Sequence, residues 1–269
     1  MDEIFLLQSD QRALAVLTGA LDPPYGVRVV ESFDELEELL RTQEPHACVL
    51  DAFDSSPSIP LTSLRQLRRS HPTVALVIAS VFSGREMDLY HLGRLSVDGV
   101  IRLEDPIPAR EIFAVVDRAI MTSLATRVVL GAGKNLPTLA QEALRWAIEH
   151  AEARPQVSEL AAALAMSPRA LLREMKALDL VPPRTLLLWG RLIRASHLLQ
   201  RSSETVESVA FHLGYATGGA LGKALKRHVG CSPTDLLQRG GLDWTLDLFT
   251  RQGLRSDKKE GTRWLEPRC

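Results

Sequence analysis

Four side chains in the segment Ser167-Pro-Arg-Ala-Leu-Leu-Arg-Glu-Met-Lys176 have the spacing of a surface that touches DNA. Ser167 suits a helix cap, and Pro168 suits the first helical position, where a missing N–H is not needed. On such a helix Leu171 and Met175 are four apart and face inward, leaving Arg169, Leu172, Arg173 and Lys176 outward. Guanidiniums near a helix start match guanine O6 and N7 in the major groove, and an outward leucine can meet a thymine methyl. On a merely solvated face the same arginines would reach phosphates only. The other residue with chemistry to offer is Asp51, directly after the apolar run Pro45-His-Ala-Cys-Val-Leu50. If that run is a strand, Asp51 stands at its carboxyl end, where open α/β sheets place ligands.

Other chemistries lack their residues. The seven histidines show no HExxH or comparable ligand spacing, and no nucleophile elbow occurs. Gly131-Ala-Gly-Lys134 hints at a phosphate loop, but that motif needs glycine at Val128 and a hydroxyl at Asn135. No enzyme, cofactor or metal is expected. Cys48, Cys231 and Cys269 are odd in number and scattered, which argues against a disulfide framework. The acidic start Met1-Asp2-Glu3 and the lack of an apolar run of about 18 residues point to a cytoplasmic protein with no membrane partner.

With 269 residues, 45% apolar and 24% charged, the chain is long enough for two ordinary globular domains. The net charge of −1 hides a segregation: residues 1–125 hold 11 Arg and no Lys against 19 Asp plus Glu, whereas residues 138–240 hold 13 Lys plus Arg against 9 acids. An acidic front (−8) and basic rear (+4) suggest that only the rear meets a polyanion, the alternative being two ordinary solvated surfaces.

In the front half, Ile4–Leu7, Val27–Val30, Ala47–Leu50, Val74–Ala79 and Gly99–Ile101 read as buried strands, with helical patterns between them. Phe33, Leu36, Leu39 and Leu40 share one helical face, as do Ile112, Val115, Val116 and Ala119. Five such units predict a doubly wound, flavodoxin-like parallel sheet over residues 1–124. On these residues the half resembles a response-regulator receiver domain, with Asp51 in the place of the phosphoacceptor and Ser96-Val-Asp-Gly-Val-Ile101 similar to the fifth strand. The resemblance implies an acidic pair after strand one to hold Mg²⁺, a hydroxyl after strand four and a lysine after strand five. Here the first pair reads Gln8 and Ser9, with Asp10 one residue on, and the hydroxyl falls at Ala79 or Ser80. The lysine position reads Arg102, Leu103 or Glu104, and no lysine precedes Lys134. A degenerate receiver is expected, with Asp51 a leftover strand-end carboxylate in a dimerisation or docking domain; a small-molecule pocket at that edge stays open.

Gly131, Gly133 and Pro137 mark a flexible linker over residues 125–137. Beyond it, Val157–Leu164 reads as a short helix capped by Ser158, followed by a break at Ala165-Met166 and then the helix from Pro168. A long helix, Arg184–Leu199, leads to a second unit: Val206–Leu213, a turn at Gly214, and Gly218–His228. Both units, with Arg191-Leu-Ile-Arg-Ala-Ser-His-Leu-Leu199 and the closing Gly230-Cys-Ser-Pro-Thr-Asp-Leu236, resemble the DNA-binding domain of the arabinose-operon regulator (AraC/XylS) family over residues 138–240. The resemblance implies that the helices near 168 and 218 enter successive major-groove segments of double-stranded DNA, often in dimers.

The second unit departs from that pattern. Leu221 and Leu225 stand where phenylalanines are common and Lys223 where arginine is, while Gly218, Gly219 and Gly222 replace polar residues. Each glycine weakens the helix by about 1 kcal/mol relative to alanine. The helix is expected to read few bases directly, with Thr217 and Lys223 its best candidates and Lys226 and Arg227 holding phosphates; the alternative is that glycines such as Gly218 and Gly219 let the backbone approach DNA closely. Residues 241–269 form a partly disordered extension in which Trp244, Leu246, Leu248 and Phe249 could make one packing helix. The expected whole is α/β plus all-α: a sequence-specific transcription regulator, or else a protein-interaction adaptor that binds DNA weakly. A second copy, a signalling protein and RNA polymerase stand open as further partners.

Overall fold

The computed structural model describes residues 3–23, 25–53, 58–104, 106–131, 136–200 and 204–254. It divides into two compact units, Met1–Thr126 and Arg127–Cys269. The first alternates β1 (Glu3–Leu7), α1 (Gln11–Leu21), β2 (Gly26–Val29), α2 (Phe33–Leu40), β3 (Ala47–Leu50), α3 (Leu61–Ser70), β4 (Ala75–Ser80), α4 (Glu86–Arg94), β5 (Gly99–Arg102) and most of α5 (Ala109–Gly131), whose last residues, from Arg127, fall in the second. The five strands are parallel and lie in the order β2-β1-β3-β4-β5, the flavodoxin-like arrangement.

Successive strand residues feed two different cores. Phe5, Cys48, Leu50, Leu76 and Ile78 pack with Leu36, Leu64 and Leu92 of α2, α3 and α4. Ile4, Leu6, Val49 and Val77 pack on the other face with Leu17 of α1 and Ile112, Val116 and Ala119 of α5. Burial on both faces is why these strands read as unbroken apolar runs rather than as an alternation. The thiol of Cys48, wholly inside the first core, is pushed up to about 12 by burial, which leaves it inert as a nucleophile.

The expected linker is a helix for half its length, since α5 continues through Gly131. Leu124, Ala125, Val128 and Val129 are all buried, so the apolar face of α5 persists past residue 124 and the glycines act only at its end. Of the phosphate-loop hint, Gly131 closes α5, and Ala132, Gly133 and Lys134 lie outside the described residues.

The second unit is helical: α6 (Thr138–Glu149), a 3₁₀ turn at Ala151–Ala153, α7 (Val157–Ala163), α8 (Pro168–Ala177), α9 (Pro183–Leu199), α10 (Val206–His212), α11 (Gly218–His228), α12 (Pro233–Gln238) and α13 (Leu242–Leu248), which runs into a π turn at Phe249–Gly253. The centre is α9. A Cβ on its Gly190 would stand 2.3 Å from the carbonyl oxygen of Ala147, so α6 and α9 cross with their backbones in contact, and only glycine fits. Trp189 of α9 is buried against Phe249, ring centroids 5.2 Å apart, and this contact folds the chain back beyond residue 240. The expected packing helix is α13; its Leu242 and Leu246 are buried, and Arg239 lies over the Trp244 ring at 5.2 Å. The rest of the expected partly disordered extension, from residue 255, lies outside the described residues. Among the described residues, no helix is long and apolar enough to cross a membrane.

Candidate nucleic-acid interface

In the first helix-turn-helix unit, α7 is capped by Gln156 rather than by Ser158, which lies inside the helix. The Glu159 side chain reaches back and accepts from the Gln156 N–H at 2.5 Å, half of a capping box centred two residues before Ser158. The turn passes through a left-handed Ala165, and the Ser167 hydroxyl accepts from Ala170 N–H at 3.2 Å to open α8. Leu171 and Met175 are buried, as their spacing predicts. Arg169, Leu172, Arg173 and Lys176 are all exposed, and Leu172 leaves 49% of its surface open. Arg173 donates to Glu174 Oε1 at 3.0 and 3.2 Å, so a base contact by Arg173 must replace a weak, exposed ion pair.

In the second unit, Thr217 caps α11 by accepting from Ala220 N–H at 3.1 Å, and Leu221 and Leu225 fill the core. Thr217, Gly219, Lys223, Lys226 and Arg227 are exposed. Gly218 is not: it is buried, and its N–H donates to Glu207 Oε2 at 2.8 Å. A Cβ at Gly218 would stand 2.5 Å from that oxygen, whereas one at Gly219 would meet only Thr217 Oγ1 at 3.7 Å. Gly218 therefore makes room for a carboxylate, which corrects the expectation that it offers backbone to DNA. Near the end of α11, burial against Trp189 and then the neighbouring Arg227 charge hold the His228 imidazole below its usual range.

The two units are tied together through α9. Arg194, 2% exposed, donates to Glu152 Oε1 at 2.5 Å, and His212 Nε2 of α10 lies 3.0 Å from the other oxygen of the same carboxylate. Arg154 donates to the carbonyl of Phe211 at 3.2 Å. A buried guanidinium needs its counter-charge, so Glu152 fixes the approach to α7 against α10.

The strand-end carboxylate sits where its position after β3 places it. Asp51 is 2% exposed; its oxygens accept from Ser80 Oγ at 2.7 Å, Ser9 Oγ at 3.2 Å and Phe53 N–H at 3.2 Å. Ser80, the last residue of β4, supplies the hydroxyl and also accepts from Ala52 N–H at 3.2 Å. Gln8 spends its side chain on Ala79 O and Asp10 N–H, and Asp10 turns away to cap α1 through Arg12 N–H at 2.9 Å. Glu104, one of the three residues (Arg102, Leu103 and Glu104) where the resemblance asks for a lysine, accepts from Phe82 N–H at 2.6 Å. Burial opposes its ionisation, but backbone N–H groups and the Arg102 guanidinium prevail and hold its carboxyl below the usual range. Mg²⁺ needs several anionic or carbonyl oxygens, and the described residues of this corner bring Asp51 with hydroxyl and amide donors already aimed at it. They do not fit a divalent ion.

A family model described as "Helix-turn-helix domain" matches residues 160–239. The chain is similar to the HTH-type transcriptional activator RhaS of Escherichia fergusonii, 26% identical over 144 residues that make up 52% of each chain. It is also similar to the protein of that name from Klebsiella pneumoniae, 32% identical over 95 residues, 35% of this chain and 34% of the other. The matches span about half, or less, of these relatives' length. Among solved structures, a response regulator from Thermotoga maritima is 15% identical over 45% of this chain and 98% of its own, with a TM-score of 0.39. NtrX from Brucella abortus is 23% identical over 62% of this chain and 41% of its own, with a TM-score of 0.43. The receiver-like fold of the first unit rests on its own strand order and pairing. Over residues 160–239, from within α7 to just past α12, this chain carries an AraC-type helix-turn-helix domain.

Proposed function

We propose that the chain is a sequence-specific, DNA-binding transcription regulator of the cytoplasm, and that its α/β unit mediates self-association or signal input without Mg²⁺-dependent phosphorylation. The observation that carries the first part is the exposed row Arg169, Leu172, Arg173 and Lys176 on α8, inside the matched helix-turn-helix domain. Arginine donors, an apolar contact and a phosphate-seeking lysine on one face are the chemistry of major-groove readout. The second helix contributes less: Thr217, Gly219 and Lys223 lie on its open side, with Lys226 and Arg227 for phosphates. The second part is supported by the Asp51 corner, where Gln8 and Ser9 stand in place of the acidic pair that would hold the cation, and Arg102, Leu103 and Glu104 offer no lysine for a phosphoryl group. A second copy of the chain, a signalling protein and RNA polymerase are the partners this reading leaves for the α/β unit.

Selection of bound sequences by the full chain from a random duplex pool, at near-physiological salt, tests the reading. Enrichment of one motif is expected. A rival reading, an interaction adaptor that binds DNA weakly, draws on the buried Gly218 and the bare Gly219, which give α11 no side chain at its groove-facing start. Failure to enrich any motif, with binding that barely falls as salt rises, would favour the adaptor.

A further inference from the structure

The amino end of α11 already holds an anion. Glu207, on α10, is exposed, and its Oε2 accepts from the N–H of Gly218, the first residue of α11, at 2.8 Å. The space is specific: a Cβ at position 218 would stand 2.5 Å from that oxygen and 3.4 Å from the Glu207 Cα and N. Helix amino termini attract anions through their dipole and unpaired N–H groups, and DNA-binding proteins use them on phosphates. In a helix-turn-helix unit the amino-terminal residues of the second helix are those that approach the duplex. A carboxylate there occupies a donor and adds a charge of the same sign as the phosphates.

We propose that Glu207 is a negative determinant of DNA engagement: its charge at the start of α11 keeps the second unit from gripping the duplex backbone and leaves affinity to the first unit. The inference rests on the DNA-binding reading and names the residue that makes the two units unequal. It also gives Gly218 a reason, since any side chain there would expel the carboxylate. The first turn of α11 holds no acid of its own, and its exposed cations, Lys223, Lys226 and Arg227, begin more than a turn later. Like α11, α8 has no acid in its own first turn, but it starts from Ser167 with Arg169 beside it.

The test is Glu207→Gln in the full chain. The amide oxygen can still accept from Gly218 N–H, so only the charge is lost. Binding to a mixed-sequence duplex of about three helical turns is measured across a salt series, together with the thermal midpoint of the protein. Removing one charge near a phosphate is expected to tighten binding about threefold to tenfold at low salt. The log–log salt dependence should steepen by about 0.9 for each phosphate newly engaged. Gly218→Ala is the second arm: its Cβ meets the flexible end of Glu207, so the fold accommodates it while the carboxylate is displaced, and binding should tighten likewise. If Glu207→Gln folds poorly, this arm decides. Unchanged or weaker binding by both variants overturns the proposal and leaves Glu207 a helix cap. If wild-type protein shows no salt-dependent DNA binding, the DNA-binding reading itself falls; wild-type binding with indifferent variants removes this inference alone.

Discussion

In the first helix-turn-helix unit Met166 N–H donates to Ala161 O at 2.8 Å across a left-handed Ala165; in the second, Tyr215 N–H donates to Ala210 O at 2.8 Å across a left-handed Gly214. The turn is the same, but the second carries one more residue before its cap, Ala216. What each unit then holds outward differs. Behind Ser167 come Arg169, Leu172 and Arg173, while behind Thr217 come a buried glycine filled by Glu207 and a bare Gly219. Two copies of one scaffold have kept the backbone geometry and diverged at the surface, which is where readout is decided. The difference teaches that a helix-turn-helix match fixes the scaffold of a contact but not its strength.

The sharpest way to break that comparison is Arg169→Ala with Arg173→Ala. Removing each bidentate arginine–base pair should cost about 1 to 3 kcal/mol of discrimination between sites. Sequence selection is expected to collapse while residual, salt-sensitive binding persists. Unaltered site preference in the double variant would move readout to α11 and reverse the asymmetry.

Next in size are two opposite substitutions at the equivalent turn residues. Gly214→Ala puts a Cβ 2.0 Å from Arg154 Nε at a φ of +77°, and should lower stability by about 2 kcal/mol from left-handed strain and displacement of Arg154. Ala165→Gly relieves a φ of +54° and should raise stability by about 1 kcal/mol. Denaturant midpoints compare them directly; equal effects of the same sign would show that the two turns are not equivalent.

Much of this asymmetry is legible from sequence. Period and the Ser167 cap give α8, the turn at Gly214 announces α11, and five apolar runs separated by helical patterns give the doubly wound sheet, because hydrophobic spacing reports burial directly. What sequence does not show is which polar groups meet across elements. Glu207 and Gly218 are 11 apart, Glu152 and Arg194 are 42 apart, and nothing periodic links them. The glycine at 218 is the one visible signal, and it reads equally as a bare surface or as room for a neighbour. The linker expectation fails for a related reason: Gly131 and Gly133 announce an end to regular structure, but Leu124, Ala125, Val128 and Val129 carry the helix to that point.

A smaller effect separates the cations of α11 from the arginines of α8. Lys226→Ala with Arg227→Ala should weaken binding to all duplexes alike and flatten the salt dependence by about 0.9 for each phosphate no longer neutralised. A change in site preference would instead make these residues readers.

The smallest expected effect is a pH dependence confined to the second unit. His228 lies at the carboxyl end of α11, where the helix dipole favours an imidazolium, yet burial and the adjacent Arg227 charge win and lower its pKa. The unfolded chain therefore binds a proton before the folded one does. Stability is full above the ordinary histidine value of 6.5 and declines as pH falls below it, towards the lower folded pKa. Thermal midpoints at about pH 7.5 and 5.5 should differ less in His228→Gln than in the wild type, because glutamine keeps a polar side chain without the proton. An identical acid-side loss in both proteins would assign the titration elsewhere.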